Sequence, residues 1–325
     1  MEYIKQIKDY KSDKKTAVTL GKFDGFHRGH QLLVDKIKEY SSSEVDSLIL
    51  AFDIGGRGLL SKEEQRDRVK EEVDVLISCP LSDEIKKMSP ETFVEEVLVK
   101  KLNVKYLVVG SDFQFGHNRE GNIDLLRDCS KRFGFNLEVM PKLTFDSKMI
   151  SNTLVDGKML GSALFDDKII SSSLIKEFLE KGEIEQANHL LGYDYEIASV
   201  VSNGRKLGRT IGFPTLNIIP DQKKVIPKYG VYGCKVEIEN SSVDHGLEYE
   251  GICNIGTKPT AVCGGEPVAE VHVFDFHEDA YGKKAKIKLI TFVRPEQKFS
   301  SIEELKSQIE QDIVDAKNKW PIKQS

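Results

Sequence analysis

The chain has 325 residues, of which 39% are hydrophobic and 30% are charged, and 47 basic against 52 acidic residues give a net charge of −5. This length is comfortable for two domains. A mildly acidic chain argues against nucleic acid as the main partner, because contacts to a phosphate backbone require a basic surface. Small phosphorylated ligands stay possible, since they need only a local site.

The apolar runs predict neither a membrane span nor a secretion signal. The longest, residues 48–52 and 106–109, have the size of strands and fall well short of the roughly 20 residues of a span. Residues 1–15 are charged and contain no apolar signal core, which predicts a cytoplasmic protein without membrane partners. The five cysteines form no CxxC pair, which favours reduced structural thiols over a metal site.

The first half of the chain alternates strand-like and helix-like segments. Buried strands are predicted over residues 16–20, 48–52 and 106–109. Helices are predicted over 29–40 and 90–102, the second with Ser89 as N-cap and Pro90 in its first turn. This rhythm predicts an α/β domain with a parallel sheet and right-handed crossovers.

After residue 192 the pattern changes to short strand-like runs separated by Gly, Pro, Asn and Asp. These runs are residues 195–201, 230–239, 249–255, 269–276 and 285–293. They predict an antiparallel β-barrel. A terminal helix with Ser301 as N-cap is predicted to dock through an apolar stripe formed by Ile302, Leu305, Ile309 and Ile313. Two short helices over 173–192 join the halves, and the predicted domains are residues 1–185 and 186–325.

The segment GKFDGFHRGHQ, residues 21–31, follows a predicted strand and opens a predicted helix. Gly21 and Gly25 allow the backbone to turn tightly, and Gly29 allows a ligand to approach the helix start closely. Unpaired N–H groups and the positive end of the helix dipole favour a phosphate there. His27 and His30 can each donate an imidazole N–H to phosphate oxygens and stabilise a transferring phosphoryl group. The segment resembles the HxGH nucleotidylyltransferase signature, and no Walker A loop occurs.

Enzymes with this signature have a second element, a serine-rich helix start with a basic residue. Residues 170–176, ISSSLIK, fit this element. Ser171, Ser172 and Ser173 can donate hydroxyl and backbone N–H groups, and Lys176 lies one turn into the helix. In such enzymes the substrate's phosphate attacks the α-phosphate of a nucleoside triphosphate and pyrophosphate leaves, so catalysis consists of positioning and electrostatics.

The segment GRTIGFPTLN, residues 208–217, is the main motif of the second half. Gly208 and Gly212 permit unusual backbone angles, and Pro214 stiffens the turn. Thr215 and Asn217 are two residues apart on an extended segment, so they point the same way. Their hydroxyl and amide oxygens are hard ligands that suit a Mg²⁺ ion also held by ATP phosphates.

A strand over residues 269–276, AEVHVFDF, carries polar and aromatic side chains on one face. These are Glu270, His272, Phe274 and Phe276. A carboxylate on a barrel strand can accept a hydroxyl proton as a general base, and Glu270 is the candidate.

Together these segments resemble the prokaryotic bifunctional riboflavin kinase/FAD synthetase (FMN adenylyltransferase) family over nearly the whole chain. The resemblance implies an N-terminal Rossmann-like nucleotidylyltransferase domain followed by a C-terminal riboflavin-kinase-like antiparallel β-barrel with a terminal helix. It implies that riboflavin is phosphorylated by ATP to FMN, and that FMN is adenylylated by ATP to FAD with release of pyrophosphate. The implied partners are riboflavin, FMN, FAD and ATP, with Mg²⁺ as cofactor.

The resemblance also implies roles for single residues. The ATP phosphates of the first half would be held by the two histidines and by Gly21, Phe23, Asp24, Gly29, Ser171, Ser172, Ser173 and Lys176. The nucleotide or flavin would lie near Asp112, Phe113 and Phe115 in the segment VGSDFQFG. In the second half, ATP and its metal would contact Gly208, Gly212, Pro214, Thr215 and Asn217. Glu270 would activate the 5′-hydroxyl of riboflavin.

Departures from the family's pattern fall mainly in the first half. FDIGG at residues 52–56 stands where the family has an FDPHP-like segment, and Lys176 replaces an arginine, which removes bidentate phosphate geometry. About 20 residues around 141–165 look inserted. Two alternatives therefore stay open. One is a riboflavin kinase whose first domain is impaired or acts on another phosphate acceptor, and the other is a non-catalytic flavin-binding regulatory protein.

Overall fold

The computed structural model describes residues 1–145, 168–202, 207–239, 248–257 and 265–320. The chain forms two compact units. Unit 1 is Met1–Thr144 with Ile169–Ser171, and unit 2 is Phe145–Lys168 with Ser172–Ser325. The predicted boundary between residues 185 and 186 falls within a helix of unit 2 and stays a prediction. Most of the predicted insertion, residues 146–165, lies outside the described residues.

Unit 1 is built on a six-stranded parallel sheet with the order β1-β4-β3-β2-β5-β6. Its strands are β1 (Glu2–Ile4), β2 (Lys15–Gly21), β3 (Val45–Asp53), β4 (Val75–Pro80), β5 (Val104–Gly110) and β6 (Asn136–Met140). The predicted parallel sheet is confirmed, and the three predicted strands are its central ones. From β2 the chain builds outward through β3 to β4 and then returns to β5 on the other side, so the strand order reverses between β2 and β5.

The helices of unit 1 pack against both faces of this sheet. They are α1 (Arg28–Glu39), α2 (Lys62–Val69), α3 (Asp83–Lys87), α4 (Pro90–Thr92) and α5 (Ile123–Phe133). On β3, Leu48 and Leu50 belong to one apolar layer, while Ile49 and Ala51 belong to the other. This burial of both faces explains why the predicted strands are continuous apolar runs, since alternation of apolar and polar residues is expected only where one face of a sheet is exposed to solvent.

The predicted helix over 90–102 exists but has an unexpected form. Ser89 caps it by accepting the backbone N–H of Thr92, and Pro90 occupies its first turn, both as predicted. From Phe93 to Lys101 the chain is a π-helix. Its buried residues are Phe93, Val94, Val97 and Leu98. Helical spacing in the sequence does not distinguish this form from an α-helix.

Unit 2 begins with two short helices and continues as a closed antiparallel barrel with the order β10-β11-β8-β7-β12-β9. Its helices are α6 (Ser172–Lys181), α7 (Ile184–Leu191), α8 (Leu207–Thr210) and α9 (Ile302–Lys319). Its strands are β7 (Tyr195–Ser202), β8 (Leu216–Ile218), β9 (Gly230–Ile238), β10 (Glu248–Thr257), β11 (Pro267–Val273) and β12 (Lys284–Pro295). The predicted barrel with a terminal helix is confirmed.

Strand β11 is shorter than the sequence predicted. It ends at Val273, and Asp275 has a φ of +55°, which breaks the extended conformation. Glu270, His272 and Phe274 therefore keep their common side, but Phe276 does not continue this face of the strand.

Helix α9 docks onto the barrel through its middle rather than along the whole predicted stripe. Ile309 and Ile313 pack against a buried group that includes Val231 and Ile252. Ile302, predicted to belong to the stripe, is 55% exposed because the first turn extends past this contact. The stripe prediction is therefore correct only for the later turns of the helix.

A buried ion pair fastens α9 to β12. Asp312 is 1% exposed, and its two carboxylate oxygens accept hydrogen bonds from Nε and Nη2 of Arg294, each at 2.7 Å. Gln308 donates a further hydrogen bond to Asp312 at 3.0 Å. Two-point geometry of this kind fixes orientation as well as distance.

Two observations concern the cysteines and the apolarity of the helices. The described cysteines are free, buried thiols: Cys79, Cys129, Cys234 and Cys253. Among the described residues, none of the helices combines the length and the apolarity that crossing a bilayer requires.

Candidate active sites

The two predicted motifs of unit 1 meet where the strand order reverses. Strand β2 leads directly into residues 21–31, and β5 leads into residues 109–116. Because β2 and β5 are parallel neighbours, both segments emerge at the same edge of the sheet. Open α/β sheets bind ligands in the crevice at this point.

His27 and His30 form a stacked pair at the start of α1. His27 is the N-cap, and its carbonyl accepts the backbone N–H of His30 at 2.7 Å. The two rings lie 3.7 Å apart between centroids, with 18° between their planes. Within the described part of the chain, neither Nδ1 atom makes a hydrogen bond. Buried polar atoms are normally satisfied, so this pair has hydrogen-bonding capacity left for a ligand.

Both imidazoles are neutral at pH 7. Burial lowers the pKa of His27 to about 4, against an opposing attraction from the Asp24 carboxylate. Burial, together with the neighbouring His27, lowers the pKa of His30 well below its usual range. The rings of Phe23 and Phe26 lie 4.8 and 6.3 Å from that of His30 and form part of its apolar surroundings. The pair therefore offers N–H dipoles rather than positive charges to a phosphate.

The sharp reversal after β2 comes from residues 23–26. Phe23, Gly25 and Phe26 have φ values of +47°, +88° and +41°. For phenylalanine this conformation is strained, and burial of both rings to 2% exposure or less holds it in place. Gly21 has no positive φ, and an added Cβ would make ordinary contacts at 3.5 Å with Phe23. The expectation that Gly21 permits the turn is therefore wrong.

Asp24 and Gly29 have distinct structural reasons for their identity. Asp24 is buried and accepts the backbone N–H of Leu59 at 2.6 Å, which ties the segment after β3 to the histidine loop. A Cβ on Gly29 would lie 3.3 Å from both Cε1 and Nδ1 of His27, so the glycine makes room for the imidazole. The same point is 3.9 Å from the carbonyl oxygen of Ile170, which brings the chain before Ser171 to the start of α1.

The serine-rich element lies at a helix start, as predicted. Helix α6 begins at Ser172, with Ser173 in its first turn and Lys176 one turn in. Ser171 belongs to unit 1, whereas Ser172, Ser173 and Lys176 belong to unit 2.

A chain of aromatic side chains runs from the segment after β5, through the helix that starts near Pro90, to the carboxyl end of β3. Phe113 and Phe115 stack at 5.5 Å with 14° between their planes, and Phe93 and Phe52 continue the group at 5.8 and 6.2 Å. Asp112 is exposed and pairs with Lys142 at 2.9 Å. Sequence reasoning missed Phe52 and Phe93, although Phe52 ends a predicted strand. A group of flat rings suits an aromatic ligand.

The segment after Phe52, which departs from the family's pattern, is exposed to solvent. Gly55 and Gly56 have φ values of +77° and +85°, and Ile54 is 57% exposed. Asp53 accepts the backbone N–H of Gly55 at 2.9 Å and pairs with Lys62 at 3.1 Å.

In unit 2, strand register places three polar side chains in one row. Glu270 on β11 lies directly opposite Asn217 on β8 and Asn254 on β10. Direct partners have Cβ atoms about 5 Å apart. Ala269 and Val271 are fully buried inside the barrel, so the row faces outward. We call Asn254, Glu270 and Asn217 the polar row.

The sequence prediction named two members of the polar row and missed Asn254. Its only sequence signal is an amide between Cys253 and Ile255, which are both fully buried. Asn217 is 4% exposed, and its Oδ1 has no hydrogen-bond partner among the described residues.

The turn before β8 requires the two predicted glycines. The carbonyl of Gly208 accepts the backbone N–H of Phe213 at 2.8 Å, and a Cβ on Gly208 would lie 2.2 Å from the carbonyl oxygen of Phe213. Gly212 has a φ of +90°. Pro214 and Thr215 follow and lead into β8, so Thr215 lies two residues before the buried Asn217.

The oxygen donors of this site fit a magnesium ion that arrives with ATP. The described residues hold no cluster of three or more His, Cys, Asp or Glu side chains able to bind a metal ion. The unpartnered Oδ1 of Asn217, the Thr215 hydroxyl and the nearby Glu270 are hard oxygen donors. Mg²⁺ is often held by one or two protein oxygens together with substrate phosphates.

Comparisons with known proteins match both halves of the chain. Two family models match, FAD synthetase over residues 9–154 and riboflavin kinase over residues 191–320. A bifunctional riboflavin kinase/FMN adenylyltransferase from Haemophilus influenzae is 34% identical over 313 residues, which cover 93% of this chain and 93% of the relative. The protein of the same description from Listeria monocytogenes is 33% identical, with 94% and 93% covered.

A solved structure shares the fold over almost the whole chain. It is described as a macrolide-efflux protein from Streptococcus pneumoniae, is 25% identical, and has a TM-score of 0.80 with 97% of this chain and 98% of that chain covered. Full-length similarity to curated relatives above 30% identity, with a matching model for each half, decides the classification. The chain belongs to the bifunctional riboflavin kinase/FMN adenylyltransferase family.

Proposed function

We propose that the histidine site of unit 1 adenylylates FMN and that the polar row of unit 2 phosphorylates riboflavin. Both reactions are those of the family: riboflavin and ATP give FMN and ADP, and FMN and a second ATP give FAD and pyrophosphate. The histidine site lies within the FAD synthetase match, and the polar row lies within the riboflavin kinase match. The proposed domains are residues 1–185 and 186–325.

For adenylyl transfer, the observation that carries the proposal is the stacked histidine pair. An oxygen of the FMN phosphate attacks the α-phosphorus of ATP, the bond to the β-phosphate breaks, and pyrophosphate leaves. His27 and His30 donate neutral N–H groups toward the phosphates beside the positive end of α1. The chain supplies no nucleophile, so its contribution is orientation and stabilisation of charge.

A second feature of unit 1 supports the same reaction. Phe113, which stacks on the buried Phe115, offers a ring on which the flavin can lie. The phosphate roles that the sequence assigns to Ser171, Ser172, Ser173 and Lys176 stay predictions, and a lysine would contact phosphate as a point charge instead of a two-point clamp.

For the kinase reaction, the observation that carries the proposal is the direct pairing of Glu270 with Asn217. Glu270 accepts the proton of the riboflavin 5′-hydroxyl, whose oxygen attacks the γ-phosphorus of ATP while ADP leaves. The Thr215 hydroxyl can donate to a phosphate oxygen, and the Asn217 Oδ1 would hold the cation that accompanies the triphosphate. When Mg²⁺ is bound there, it neutralises charge on the phosphates.

The two alternatives are not favoured. Curated relatives that cover 93% and 94% of the chain carry both activities in their descriptions, and both family models match. We further propose that the protein acts in the cytoplasm on small molecules only, which the net charge of −5 supports.

Two variants test the division of labour by chromatography of flavins. Glu270→Gln keeps the shape of the side chain but removes the base, so FMN formation from riboflavin should fall about 10²- to 10⁴-fold. The same variant should make FAD from supplied FMN at the wild-type rate. His30→Ala should have the opposite effect. Loss of both activities in either variant would contradict two separate sites.

A further inference from the structure

We propose that His272 is a positioning residue of the kinase reaction, which holds the turn of residues 213–215 against β11. This inference rests on the proposed role of the polar row. It assigns a task to a side chain that contacts neither the phosphates nor the hydroxyl in the mechanism above.

The main chain alone secures this turn poorly. Strand β8 has three residues, and its pairing with β11 ends at the pair Leu216–Val271. Continuing the same register would place Thr215 opposite His272, but the ladder does not reach that far. The residue before Thr215 is a proline, which has no N–H to donate to a ladder.

The His272 side chain makes a hydrogen bond to the chain just beyond the end of the β8–β11 ladder. Its Nδ1 lies 2.9 Å from the carbonyl oxygen of Pro214. Because a carbonyl oxygen only accepts, Nδ1 carries the proton and donates it. The other end of the turn is closed by the hydrogen bond between Gly208 and Phe213, at 2.8 Å. The segment that leads to Thr215 and Asn217 is therefore held at both ends.

The imidazole is itself fixed by its neighbours. The Phe213 ring meets it edge-on at 5.3 Å and 84°, and the Phe274 ring lies at 5.8 Å and 66°. His272 is two residues from Glu270 on the same side of β11, so one strand carries both the base and the support of the turn. Such support sets the distance between the base and the phosphate-binding oxygens before ATP arrives.

Three substitutions separate positioning from general stability. His272→Ala removes the bond to Pro214. The side-chain nitrogen of asparagine lies close to the place of Nδ1, so His272→Asn can restore this bond. Glutamine places its nitrogen one atom further along the side chain, near the place of Nε2, so His272→Gln keeps polarity without the bond.

The experiment measures FMN formation by the full chain at varied Mg–ATP and riboflavin, with FAD formation from supplied FMN as an internal control. Loss of one hydrogen bond should raise the KM for Mg–ATP about fivefold to tenfold in the alanine and glutamine variants, with the KM for riboflavin unchanged within about twofold. His272→Asn should lie within about twofold of the wild type. FAD formation should stay the same in all three.

An unchanged KM for Mg–ATP in His272→Gln, or an equal rise in His272→Asn and His272→Gln, would overturn the inference. The asparagine and glutamine pair keeps the test valid if the alanine variant fails to fold. Glu270→Gln serves as the reference. If it still makes FMN, the kinase site itself is wrongly assigned, whereas normal His272 variants beside an inactive Glu270→Gln refute only the role of His272.

Discussion

Gly29→Ala is expected to separate activity from stability in unit 1. The new Cβ would lie 3.3 Å from Cε1 and Nδ1 of His27, which is closer than side chains normally approach a Cβ. The imidazole must therefore shift by a few tenths of an ångström. It has little room, because its other face stacks on His30 at 3.7 Å between centroids.

The expected magnitude follows from this displacement. A misplacement of about 1 Å in a catalytic group can cost about 10²-fold in rate, so a shift of a few tenths should lower FAD formation about threefold to tenfold. Alanine is favoured over glycine within a helix by up to about 1 kcal/mol. Gly29→Ala should therefore unfold at the same or higher temperature while its adenylyltransferase activity falls.

The assay follows FAD formed from supplied FMN, with FMN formation from riboflavin as the internal control for unit 2. Asp35→Ala is the matched variant, because it places alanine at an exposed position of the same helix. Wild-type FAD formation by Gly29→Ala would refute the packing argument. A drop in melting temperature that parallels the loss of activity would refute it as well.

Three further predictions concern the kinase turn, the docking of α9 and the buried imidazole. Gly208→Ala places a Cβ 2.2 Å from a backbone carbonyl oxygen, so the rate of FMN formation should fall at least about 10²-fold while the rate of FAD formation stays the same. Normal kinase activity would contradict the proposed role of the turn. Arg294→Ala strands the buried carboxylate of Asp312 and should lower the free energy of unfolding of unit 2 by about 3 kcal/mol. The fluorescence of Trp320, the single tryptophan, at the end of α9 reports this unfolding in a urea titration. An unchanged urea midpoint would contradict the predicted loss of stability. His27 has a pKa of about 4 in the folded protein and about 6.5 in the unfolded chain, so unfolding between these pH values takes up a proton. The contribution of His27 to the free energy of unfolding is therefore complete above pH 6.5 and falls toward pH 4 by up to about 1.4 kcal/mol per pH unit. His27→Gln should remove that part of the pH dependence in urea titrations, and an unchanged slope would contradict burial as the cause.

Local pattern was sufficient for the central strands of unit 1, for several helix starts and for the position of the motifs. Apolar runs with no alternation predicted the central strands β2, β3 and β5, since both faces of a parallel sheet are covered. Ser89 and Pro90 marked a helix start because capping depends on residues adjacent in sequence. The order strand, glycine-rich loop and helix was enough to place His27 and His30 at the start of α1.

The arrangement within each site depended on contacts between distant parts of the chain. The stacking of His27 on His30 required the strained turn at Phe23 and Phe26, whose rings are held by the core. Local spacing could not reveal this contact, because it depends on burial.

The sequence by itself determined which of the predicted segments are helices and which are strands, the barrel, and the residue types of each motif. Only the tertiary structure decided that Asn254 and Asn217 flank Glu270 and that His272 supports Pro214. The physical reason is register. Which residues face each other across β8, β10 and β11 is decided when the barrel closes, and a shift of one residue would turn every side chain of the polar row to the other face.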